Sequence, residues 1–195
     1  GDYLVKLAGR EISEEQGDEV ARYILILGEL ERIGDRAVVF SRIAQKMHKN
    51  KISFSADATY ELEVLQRAVD EIILISIAAF TQGDLQEAYR VGSLKDLIGG
   101  LCSEIKMRQI LRVQGHNCNI NHITAFNDLL TNYERTTDLC LNIALGIIHS
   151  DSAVFNTDEY LDSVQDIKSF GAQRFYEEYR TKYSLSKPLV ECEKV

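Results

Sequence analysis

Proline is nearly missing from this sequence: Pro188 is the only one in 195 residues, and glycine is limited to 12. With so few breaks, and with apolar residues recurring every three to four positions, a strand-rich fold is excluded and long antiparallel helices are predicted. The four cysteines, Cys102, Cys118, Cys140 and Cys192, form no C-x-x-C pair and no framework of close spacings. That argues against both a zinc ribbon and a disulfide scaffold, and leaves reduced thiols. Positive charge is also short. The 22 Lys and Arg stand against 30 Asp and Glu, for a net charge of -8, without the basic excess that binding a nucleic-acid backbone requires. No window reaches the roughly 18 consecutive apolar residues of a membrane span; even the run from Ile72 to Phe80 is bounded by Asp70, Glu71 and Asp84.

Catalytic signatures are wanting as well. There is no Gly-rich phosphate loop, no G-x-S-x-G elbow and no Cys-His nucleophile pairing, so no enzymatic activity is expected. A di-metal carboxylate enzyme of the ferritin-like class needs Glu-x-x-His on its core helices. No Glu in this chain is followed three residues later by His.

What the chain does have is 45 % apolar content, ample for a packed core. The sequence starts with Gly1-Asp2, without an initiator Met or a charged-then-apolar leader, and reads as a piece of a larger protein. A short first helix is expected over about 2–10. Ser13 followed by Glu14, Glu15 and Gln16 is a capping-box signal for a second helix to about His48. The cations Arg42, Lys46, His48 and Lys49 at its end suit the negative pole of the helix dipole. A third helix is expected over about 57–81, with Leu62, Leu65, Val69, Ile72, Leu74 and Ile77 inward, and Gly83-Asp84 then stops and restarts the chain. A fourth spans about 84–113 and a fifth about 122–149. A sixth runs from about 157 to 183, where Phe170, Phe175, Tyr176, Tyr179 and Tyr183 recur at helical spacing and predict core packing. The polar turn at 114–121 and the first residue after it bring His116, Cys118 and His122 close in sequence, at a spacing that matches no metal site.

An internal repeat organises these helices. Residues 23–44 align with 126–147 at an offset of 103, pairing Leu27, Glu31, Arg32 and Asp35 with Leu130, Glu134, Arg135 and Asp138. Each copy is followed by a Phe-x-x-Asp link, Phe54–Asp57 and Phe155–Asp158. The predicted fold is therefore all-α: two pseudo-repeated three-helix bundles, with the first helix of the first bundle truncated. The units are 1–82 and 83–183, followed by a flexible tail, 184–195.

The repeated acids stand out because they interrupt apolar stripes. Val20, Ile24, Leu27, Glu31, Gly34, Val38 and Ser41 follow a 4-3 spacing, which predicts Glu31 in a helix seam. The same spacing in the second copy runs through Ile123, Asn127, Leu130, Glu134, Thr137, Leu141, Ala144 and Ile148. Asp35 and Asp138 lie one turn further on. Two carboxylates at i and i+4 repel when ionised, so a compensating partner is expected. It is either a metal held by Glu31, Asp35, Glu134 and Asp138 or the adjacent arginines Arg32, Arg36 and Arg135.

At these residues the chain resembles the PhoU family, in which each of two pseudo-repeated three-helix bundles carries an E/D-x-x-x-D motif. ELERIGDRA at 29–37 is a close match to that motif. KISFS at 51–55, ILRVQGHNC at 110–118 and NYERTTDLCLNIA at 132–144 resemble the PhoU-like domain fused behind bacterial sodium/phosphate (Na/Pi) cotransporter permeases. The resemblance covers about 3–183. It implies a non-catalytic regulatory domain at the cytoplasmic face of the inner membrane, tuning phosphate uptake by the transmembrane permease portion of the same polypeptide, with homodimerisation a further option. The alternative it implies is a stand-alone adaptor of phosphate signalling that binds a sensor kinase or a transporter ATPase. Some relatives bind iron or zinc clusters through the motif carboxylates. This sequence departs from the family pattern at Ser93 and Gly99, where relatives present further acids, and at Gln109 and Leu139, where they often present His.

Overall fold

The computed structural model describes residues 13–115, 120–148 and 172–185. Five helices lie in that range: α1, Glu14–Lys49; α2, Ala56–Gln82; α3, Leu85–Gly115; α4, Ile120–Ile148; and α5, Ala172–Lys182. No strand occurs among the described residues, as an all-α chain requires. The expected first helix, the Phe155–Asp158 link, the start of the sixth helix with Phe170, residues 116–119 of the His/Cys turn and residues 186–195 of the tail all lie outside the described residues.

The helix ends follow from local chemistry. At the start of α1 the Ser13 hydroxyl accepts from the Gln16 backbone N–H at 3.3 Å and the Gln16 side chain accepts from the Ser13 N–H at 3.1 Å, the reciprocal pair of a capping box. Lys46, His48 and Lys49 close the other end. Ser55 caps α2 by accepting from the Ala58 N–H at 3.3 Å. Gly83 ends α2 at φ 64°, a left-handed conformation that glycine enters without steric cost. Asp84 then accepts from the N–H groups of Gln86 and Glu87, so two residues suffice to reverse the chain into α3.

Helices α2, α3 and α4 pack against one another in all three pairings; α1 lies on α4, and α5 lies on α3. Leu65, Ala68 and Ile72 of α2, Val91, Leu94, Ile98 and Ile105 of α3, and Phe126, Leu130 and Ile143 of α4 form the fully buried centre. Tyr179 and Tyr183 of α5 are buried against it, with Phe175 and Tyr176 half-buried beside them. These four aromatic residues are core, as their spacing predicts.

Two expected stripes are corrected. On α2 the inner row runs through Leu62, Leu65, Val69 and Ile72 as predicted but continues through Ser76 and Ala79; Leu74 is 68 % exposed, and Ile77 is exposed too. At 100° per residue Leu74 falls on the far side of the helix from Leu65 and Ile72. On α1 the face toward α4 is Ile26, Leu30, Ile33, Arg36, Phe40 and Ile43. It lies one position away from the predicted Leu27-Glu31-Gly34-Val38 row. Residues 23–27, Tyr-Ile-Leu-Ile-Leu, are apolar without interruption, so periodicity alone leaves the rotation of α1 undetermined.

Candidate functional site: ion-paired carboxylates at the helix contacts

Four carboxylates were expected to act together, and the structure gives them unequal settings. In the second copy, Lys106 of α3 donates to both oxygens of Glu134 at 2.8 Å, and Lys95 lies 3.1 Å from Asp138. The repulsion between two acids one turn apart is thus offset by two ammonium groups from the neighbouring helix. The arginines proposed as partners lie elsewhere. Arg32 pairs with Glu29 at 2.6 Å, and Arg36 reaches across to the Asn132 side-chain oxygen at 3.4 Å.

In the first copy, Glu31 and Asp35 are exposed on the side of α1 turned away from α4, so the prediction that Glu31 sits in a seam with α1's neighbours is corrected. Neither carboxylate forms a salt bridge with a described residue. Two carboxylates from one helix are fewer than the four or more ligands that zinc or iron takes. No group of three or more His, Cys, Asp or Glu side chains close enough to hold a metal ion occurs among the described residues. The second motif, with its oxygens facing ammonium groups, fits ion pairing; the first would need further ligands from beyond the described residues.

Among the described residues the buried acid is Glu61 on α2, at 2 % exposure. Arg112 of α3 grips it with two parallel bonds, Nη1 to Oε1 at 2.9 Å and Nη2 to Oε2 at 2.7 Å, the fork geometry that makes Arg the strongest carboxylate partner. Arg108 approaches the same carboxylate at 3.7 Å and is itself held by Glu104 at 2.6 Å. The Arg112 guanidinium also lies over the Phe126 ring, 5.8 Å from its centroid, and its Nε–H donates to Gln109. Phe126 in turn meets Phe54 edge-to-face at 5.3 Å. This cluster ties α2 to α3 and to the start of α4.

Sequence reasoning passed over Glu61, although the signal used for Glu31 was present. Ala58, Glu61, Leu65, Ala68 and Ile72 form a 3-4 row in which an acid interrupts apolar residues. Ile110–Cys118 was singled out for its resemblance alone, and Arg112 lies within it. Lys95 and Lys106 carried no signal, because an exposed Lys on a helix is ordinary.

Between α1 and α2, over α4, lies an open groove of about 400 Å³ lined by Ile33, Phe40, Met47, Val69, Ile73 and Tyr133. Its polar groups are Arg36, Gln66, Asp70 and Thr136. Burial, with a smaller contribution from the Asp70 charge, pushes the Tyr133 hydroxyl up to about 12.

The described thiols are unreactive. Burial pushes Cys102 up to about 12 and Cys140 up to about 11, from an ordinary value of 9.0. A thiolate is the reactive form, so both are expected to resist labelling by a disulfide reagent at pH 8 until the chain is unfolded. Because both folded values are raised, the neutral thiols stabilise the fold fully below about pH 9. That contribution is lost as pH climbs through 11 to 12. Chemical denaturation at stepped pH is expected to show stability falling over that alkaline window.

Among the described residues no helix is long and apolar enough to cross a membrane. No curated protein and no solved structure matches the chain. A family model does: the PhoU domain, over residues 62–147, the stretch that holds most of α2, all of α3 and nearly all of α4. The three mutually packed helices and the ion-paired acid motif of α4 therefore coincide with the part of the chain that is similar to the PhoU domain.

Proposed function

We propose that this chain is the cytoplasmic regulatory domain of a sodium-dependent phosphate transporter, acting at the inner face of the membrane on a permease portion of the same polypeptide. The observation that carries the reading is the PhoU domain match across the α2–α4 bundle, a family with a regulatory, non-enzymatic role in phosphate homeostasis. Similarity of the 51–55, 110–118 and 132–144 segments to cotransporter-fused domains supports the finer assignment.

Mechanistically, such a domain acts by presenting surfaces. Its motif acids at the α3–α4 contact are matched internally by Lys95 and Lys106, so of the four motif carboxylates Glu31 and Asp35 on α1 are the two without a salt bridge among the described residues. Radiolabelled phosphate uptake tests the proposal in cells expressing the full-length gene product, with and without the segment equivalent to 1–195. Loss of regulation by external phosphate, with transport retained, is the expected result. A gene product lacking any multi-span permease, and an affinity pull-down that instead recovers a soluble sensor kinase or transporter ATPase, would replace this reading with that of a stand-alone adaptor.

A further inference from the structure

Charge is spread unevenly along α1. Its carboxylates all stand at or before Asp35, whereas between Asp35 and Asp57 the chain carries Arg36, Arg42, Lys46, Lys49 and Lys51 and no carboxylate. In a molecule of net charge -8 this makes one basic pole. Arg36 turns inward to Asn132, but Arg42, Lys46, Lys49 and Lys51 are exposed, and none of the four forms a salt bridge with a described residue. At 100° per residue Arg42, Lys46 and Lys49 share an arc of about 60° and span about 10 Å along the helix. The helix dipole accounts for only part of this row. Its effect fades within the last turn, which holds Lys46, His48 and Lys49; Arg42 stands nearly two turns from the end, and Lys51 lies beyond it. Nor does the fold ask for these charges. The position matching Arg42 in the second copy of the repeat is Leu145, 2 % exposed, and Lys51 takes a left-handed φ of 52° that glycine or asparagine enters more readily.

From this row we infer that the end of α1, with the link to α2, is a contact for the anionic lipid headgroups of a membrane surface. Exposed ammonium and guanidinium groups suit a plane of negative charge, to which each adds attraction within the screening length. The rest of α1 sets the orientation. Glu31 and Asp35 lie on the same arc as the row, nearer the start of the helix, and Glu15, Asp18 and Glu19 are exposed at that start. Anionic headgroups repel these carboxylates, so α1 meets the surface by its end rather than along its length, with its acidic start pointing away. An acidic protein segment would meet the same cations. The lipid plane is favoured because it acts on the whole charge asymmetry of α1, attracting one pole and repelling the other, whereas a short segment engages the row alone. The inference deepens the reading above, from which it takes only that a membrane lies nearby, and it names the face turned to that membrane.

Flotation of the intact 195-residue chain with vesicles of phosphatidylcholine, alone or mixed with phosphatidylglycerol, tests the inference. Binding is expected only to the mixed vesicles, and it should vanish at about 1 M salt, where the screening length is about 3 Å. Each basic residue near an anionic leaflet strengthens binding roughly fivefold, so Lys46→Gln/Lys49→Gln should weaken it roughly 25-fold. Arg174→Gln/Arg180→Gln, which removes the same charge from exposed positions on α5, should leave binding unchanged. All four positions are exposed, and the melting curves of both variants should match that of wild type. Absence of binding to the mixed vesicles at low salt, or equal weakening by the α5 pair, would overturn the inference. A chain that binds polyglutamate and ignores the vesicles would overturn it as well, assigning the row to an acidic protein segment. None of these results depends on phosphate uptake: failed flotation removes the lipid contact and leaves the transport reading to its own assay.

Discussion

Replacing Glu61 with Ala is expected to destabilise the fold by about 3 kcal/mol, among the largest single effects available in this chain. The pair with Arg112 is buried on the acid's side, and cutting a buried ion pair at one end leaves the other charge unmatched, at a cost of about 3–5 kcal/mol. Arg108 and Arg112 keep side-chain exposures of 12 % and 18 %, so part of their charge can be recovered by water, which argues for the lower end of that range. Glu61→Gln should cost less, because the amide still accepts one of the two Arg112 bonds. Denaturant midpoints of the two variants give the comparison. An Ala variant within about 0.5 kcal/mol of wild type would show that the Glu61–Arg112 grip contributes nothing net.

Phe126→Ala is expected to cost about 3–5 kcal/mol, through transfer of a large buried ring and the cavity left behind it. Its ring is fully buried, packs edge-to-face on Phe54 and underlies the Arg112 guanidinium. The two predictions are therefore not additive. Removing the ring also loosens the platform beneath Arg112, so the double variant should fall short of the sum of the singles by a coupling of about 0.5–3 kcal/mol. Thermal melts of the four species of that double-mutant cycle measure it directly. Exact additivity would mean that Arg112 is positioned by Glu61 alone.

The ends of α1 and α2 and the start of α3 were legible because each is set by a few adjacent residues. Ser13 with Gln16 and the left-handed Gly83 are local devices that act through neighbouring backbone groups. The rotation of α1 about its axis was not legible, since five apolar residues in a row satisfy more than one 4-3 row; only the α4 surface, with Tyr133 stacked on Phe40 at 4.8 Å, selects among them. Of the candidate site, the partner expected for adjacent acids is present at Glu134 and Asp138 and absent among the described residues at Glu31 and Asp35, and its source was not legible. Lys106 stands 28 residues from Glu134 in sequence, and only the crossing of α3 over α4 brings them together. Glu61 was readable in principle, as an acid in an apolar row, but it has no repeated counterpart to draw attention to it.

The two-residue reversal at Gly83-Asp84 also bears on how the chain acquires its structure. Closing so short a loop costs little chain entropy, and α2 and α3 meet as immediate neighbours in sequence. Docking α1 onto α4 brings Arg36 to Asn132, 96 residues apart. Kinetically the hairpin of α2 and α3 should therefore act as the nucleus: substitutions at Leu65 or Ile98 should slow refolding, whereas those at Phe40 should mainly hasten unfolding.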